Sequence, residues 1–130
     1  DYEDTQDTPE KHGIETAKIL GGEGLEGEIV HAVKAHNEAT GTGRVSEMDK
    51  ALYCADPVTG LIVACALVKP GKTLAEVDAE FVMKKMKEKS FARGASREQI
   101  QSCTEIGLEL ADFIDLSVKA MQEIAPSLGL

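Results

Sequence analysis

Apolar residues recur along this chain at steps of three and four, and no stretch of any length alternates apolar with polar residues, which predicts helices throughout and no sheet. Start and stop signals divide the pattern. Thr8-Pro9 puts proline at a first helical position, and Ser46 to Asp49, Thr73 to Glu76 and Ser96 to Gln99 have the spacing of capping boxes. Gly21, Gly41, Gly71 and Gly94 punctuate the intervals. These signals predict helices over 9–20, 24–38, 46–68, 73–88, 96–106 and 110–125, the third of them bending at Pro57.

With 130 residues, 42% of them hydrophobic, the chain is long enough to bury one core, and no composition shift divides it. The expectation is an all-α, single-domain helical bundle of five or more helices spanning residues 1–130.

One segment changes the picture. Residues 51–68, ALYCADPVTGLIVACALV, contain a single charge, Asp56. They approach the length of a membrane span, but Asp56-Pro57 near the centre and the acidic remainder predict a buried helix of a soluble, cytoplasmic protein. No signal peptide is visible, and Asp1 in place of Met predicts a processed or partial product. A carboxylate in apolar surroundings needs donors, a basic partner or a cation. Asp56 is therefore read either as a metal ligand or as the cap of a new helix beginning at Pro57.

Charge and cysteine usage exclude other classes. A net charge of −9 and a pI near 4.8 argue against duplex nucleic acid as a partner. A small anionic substrate then needs local cations or a metal. Residues 84–97, KKMKEKSFARGASR, gather six basic residues around one acid, so Lys84, Lys85 and Arg93 are candidates to hold a substrate phosphate. The plainer account is a solvated basic helix end. The opening DYEDTQDTPE carries five acids in ten residues and reads as an exposed acidic arm. Cys54, Cys65 and Cys103 make an odd count without a Cys-x-x-Cys pair, which predicts core thiols in a reducing compartment.

The histidines supply the remaining candidates. Leu25, Ile29, Val33 and His36 fall at steps of four, four and three, placing His36 on the predicted buried stripe of the second helix. His31 falls on the wet face beside Glu28, Lys34 and Glu38. His12 lies in the first turn of the first helix, and a short glycine-rich connection favours an antiparallel pair, which brings His12 and His36 to one end of it. Inward Asp56 is expected to share a cleft with His36. No Ser-His-Asp order, phosphate-cradling glycine loop or His-Glu-x-x-His pattern points to another chemistry.

Together these residues resemble a known family. His36 before a glycine-rich loop, then ALYCADPVTGLIVACALVKP, KSFARG at 89–94 and IGLELADFIDLSVKAMQEIA at 106–125 resemble the latter part of HD-domain proteins, a superfamily of helical metal-dependent phosphohydrolases. The resemblance covers nearly all of the chain and is closest to small, uncharacterised members. DYE at residues 1–3 resembles the segment just after the family's His-Asp dyad, so the upstream His and the dyad match nothing here. The resemblance implies a divalent metal centre, of Mn, Fe, Co, Ni, Zn or Mg, to which Asp56 and the intervening His12 and His36 contribute. His36 is then a ligand or a donor to the phosphate, and the reaction is metal-assisted hydrolysis of a small phosphate ester or nucleotide. The competing expectation is a non-catalytic helical module that binds a ligand or a protein partner. Homo-oligomerisation is open on either reading.

Overall fold

The computed structural model describes Thr8 and residues 10–130. The fold is all-α, with no strand among the described residues. In chain order the α-helices are α1 (Ile14–Gly22), α2 (Gly27–Ala35), α3 (Glu47–Leu67), α4 (Ala79–Lys87), α5 (Arg97–Gln101), α6 (Leu110–Glu123) and α7 (Ala125–Leu128). Short 3-10 turns occupy Glu38–Thr40, Leu74–Glu76 and Ser102–Ile106. The chain divides into two units, residues 1–53 and 54–130, with the boundary inside α3.

In the first unit, α1 and α2 pack as an antiparallel pair over Ala17, Ala32 and Ala35, whose small side chains let the helices approach closely. These alanines, rather than the predicted stripe, form the seam: Ile29, Val33 and His36 are half-buried and Leu25 is exposed. α1 begins later than expected because Gly13 has φ 87°, a left-handed conformation that interrupts a right-handed helix. Pro9, the expected first helical residue, lies outside the described residues.

The start of α3 follows its sequence signal. Asp49 N–H donates to Ser46 Oγ at 3.1 Å, and Asp49 Oδ2 accepts from the amides of Val45 and Ser46, each at 2.8 Å. This reciprocal bonding satisfies main-chain donors that the helix itself leaves without partners. α3 then runs uninterrupted through Pro57. Asp56 is therefore an interior helical residue, and the alternative in which it caps a new helix is set aside.

In the second unit, α3 contributes Cys54, Val58, Leu61, Ile62, Cys65 and Ala66 to the core at helical spacing. Val82 and Met86 of α4, Ile100 of α5 and Phe113, Ile114, Val118 and Met121 of α6 complete it, with Leu74, Val77, Ala95 and Cys103 from the connections. Among the described residues α3 alone is long and apolar enough to cross a membrane, yet these side chains are buried inside the protein, the use a core helix makes of its apolar side.

Two further elements differ from expectation. Thr73 makes no side-chain cap bond, and Glu76 instead accepts from the Gly71 amide at 3.0 Å. α4 starts at Ala79 under Asp78, whose carboxylate accepts from the Phe81 amide at 2.7 Å. The predicted single helix 96–106 is α5 followed by a 3-10 turn that ends at Gly107, φ 76°. The Gln122 side-chain amide closes the connection before α4: its Nε2 donates to the Leu74 and Val77 carbonyls, both at 3.0 Å.

Candidate functional site

The histidine pair forms at the open end of the α1–α2 hairpin. His12, just ahead of α1, and His36, at the C-cap of α2, bring their Nε2 atoms to 2.9 Å, with ring centroids 4.9 Å apart and planes at 77°. His36 Nδ1 lies 2.5 Å from the Val33 carbonyl oxygen, which accepts only from a protonated nitrogen. In the neutral ring Nδ1 thus carries the proton, the Nε2 lone pair is left to accept, and His12 Nε2–H donates to it. Asn37 Nδ2 donates to the His12 carbonyl at 3.0 Å and ties the same two chain segments together.

Gly13 makes this approach possible. A Cβ there would stand 2.8 Å from the Val33 carbonyl oxygen and 3.4 Å from His36 Cε1. The glycine combines a positive φ with the close passage of two backbones, and either condition alone disfavours a side chain.

His31, predicted to lie on the wet face, is 43% exposed at its side chain but reaches the α3 start: its Nδ1 lies 2.9 Å from Asp49 Oδ1. Asp49 is fully buried and is the buried charged residue among those described. Burial would push its carboxyl up, but the hydrogen bond to His31 and those to the Ser46 and Val45 amides and the Ser46 side chain outweigh it. The carboxyl is lowered to about 2. The buried carboxylate that needed partners is therefore Asp49 and not Asp56.

Asp56 is exposed on α3. It borders a shallow depression of about 410 Å³ in the second unit with Pro57, Thr59, Gly60, Ala92 and Gly94. Water solvates its carboxylate, which removes the need for a buried partner. The apolar run around it is one-sided: Pro57 and Val58 turn inward while Asp56, Thr59 and Gly60 face solvent. His36 belongs to the first unit and Asp56 to the second, so neither unit by itself brings the two together. Among the described residues no three His, Cys, Asp or Glu side chains gather at one point.

The basic segment divides into separate roles. Lys84 is exposed. Lys85 is committed to Glu88 Oε2 at 2.7 Å and lies 4.8 Å from the Phe91 ring centroid. Arg93 is exposed along a second depression described below. Arg97, not singled out by the sequence, acts as a main-chain clamp. Its guanidinium donates to the carbonyls of Phe91 (2.6 Å), Ala95 (2.7 Å), Ala92 (2.8 Å), Lys85 (3.2 Å) and Glu88 (3.4 Å), with Nε 3.5 Å from the Met86 carbonyl. The Lys85 and Met86 carbonyls belong to the last turn of α4, where main-chain donors run short, and the Lys85 carbonyl also accepts from the Glu88 amide at 3.1 Å. The signal for this role was faint, an arginine one residue after the Ser96 cap.

All three cysteines are buried and none is in a disulfide. Burial pushes the Cys54 and Cys65 thiols up to about 11 and raises Cys103 as well, so none has the character of a nucleophile. Comparison of the chain with protein-family models, with curated proteins and with solved structures finds no match.

Proposed function

We propose that this chain is a metal-dependent phosphohydrolase of the HD type, acting on a small phosphate ester or nucleotide, and that His12 and His36 hold its divalent cation. The observation that carries the reading is the 2.9 Å approach of the two Nε2 atoms with His36 Nδ1 fixed on the Val33 carbonyl. Metal-binding histidines commonly use that arrangement, one nitrogen on a backbone carbonyl and the other facing the ion. Two imidazoles each about 2.0 Å from a tetrahedral zinc have nitrogens roughly 3.3 Å apart, which the pair seen here reaches by a small ring adjustment together with a shift of the His12 proton from Nε2 to Nδ1.

Bound there, a divalent cation supplies a water of lowered pKa and neutralises phosphate oxygens. The chain's own contribution is to orient the two rings: Val33 selects the tautomer of His36, and Gly13 and Asn37 hold the segment carrying His12 against it. Two imidazoles alone bind such an ion weakly, and water or substrate oxygens would complete its coordination.

The test is elemental analysis and calorimetric titration with Zn, Co, Ni and Mn, alongside turnover of a generic phosphate ester and a nucleotide panel. It uses this chain throughout. The expected result is bound metal and turnover, both lost in His36→Ala and in His12→Ala with the fold retained. Asp56→Ala separately measures the part of the exposed carboxylate. Metal content that neither histidine substitution changes would overturn the assignment and return the chain to the non-catalytic helical module.

A further inference from the structure

The second unit carries a depression of about 490 Å³ beside the end of α4, within the volume range of sites for small organic ligands. Its lining combines two chemistries. Met83, Met86 and Leu110 supply apolar surface that is half-buried or buried, whereas Lys87, Lys89 and Arg93 are exposed cations along it. Arg97 adds a fourth positive charge, although its N–H groups are engaged by main-chain carbonyls. No carboxylate lines the depression. On a chain of net charge −9, this is a local reversal of sign.

We propose that this depression is a binding site for a small amphipathic anion, one with a phosphate or carboxylate head and a short apolar tail. The head meets Lys87, Lys89 and Arg93 and the tail lies against Met83, Met86 and Leu110. Flexible methionines suit such a surface because they adapt to the shape of an apolar group. A bare inorganic anion would leave the apolar lining wet, and a neutral apolar molecule would leave the cations without a counter-charge. The site is independent of the metal assigned to His12 and His36, and its cations differ from the expected phosphate holders in substituting Lys87 and Lys89 for Lys84 and Lys85.

The probe is octyl phosphate below its micelle concentration, compared with octanol and with inorganic phosphate, on the whole chain with ¹³C-labelled methionine methyls. The expected result is that octyl phosphate shifts the Met83 and Met86 methyl signals at lower concentration than either comparison molecule, while Met48 and Met121 stay in place. A Lys87→Glu/Lys89→Glu/Arg93→Glu variant is expected to weaken binding by roughly tenfold or more. All three side chains are exposed, and Arg93→Glu alone gives the same direction if the triple variant does not fold. Equal binding of octanol, equal binding of inorganic phosphate, shifts spread over all four methionines, or binding unchanged by the charge reversal would each overturn the proposal.

Discussion

The wholly buried carboxylate of Asp49 accepts from His31 Nδ1 at 2.9 Å while its other oxygen caps the first turn of α3 through the Val45 and Ser46 amides. One side chain thus ties α2 to the start of the longest helix in the fold. Its ionised form is the one these donors stabilise.

That linkage has a definite pH dependence. The folded-state pKa is lowered from 3.8 to about 2, so the contribution is fully present above the unfolded value and is lost as pH falls through the folded value. The shift corresponds to about 2 kcal/mol. Urea unfolding of wild type and Asp49→Asn should differ by at least that amount at pH 6, and the gap should shrink between pH 4 and about 2. A gap that stays constant over the acid range would show that the carboxylate charge is not its source.

Arg97→Ala should destabilise the second unit by about 3 kcal/mol, because it strips donors from several main-chain carbonyls at once. Arg97→Lys should recover little of the loss, since an ammonium cannot span the same acceptors. Hydrogen exchange of amides in 88–96 reads the effect locally, and unchanged protection there would argue against a clamp.

Gly13→Ala should cost about 2 kcal/mol, the sum of a left-handed φ and a Cβ forced against the Val33 carbonyl. The same substitution should perturb the imidazole NMR signals of both His12 and His36. A variant with wild-type stability and an unaltered histidine pair would mean that the chain relaxes around the methyl group at little expense.

Cys54 and Cys65 should resist alkylation by iodoacetamide at pH 8 until the protein unfolds. With thiols pushed up to about 11, only about one molecule in a thousand carries the thiolate at that pH, and burial blocks access besides. Rapid labelling of the folded chain at either position would contradict this.

The sequence by itself determined the helical class, most element positions and the meeting of His12 with His36. These follow from local rules: periodicity names a helix, glycine ends it, and a short connection between two helices folds them antiparallel. The Ser46–Asp49 spacing was also readable as a cap. Its deeper consequence was not, because whether a capping carboxylate is buried depends on what covers it, and His31 comes from a different helix. Asp56 shows the reverse limit. An apolar neighbourhood along the chain suggested burial, but a helix turns by about 100° per residue, so the sequence neighbours Val58 and Pro57 went to the core while Asp56 went to solvent. Arg97 was decided by tertiary structure alone, since its acceptors are main-chain carbonyls, which every residue carries and no side-chain pattern announces.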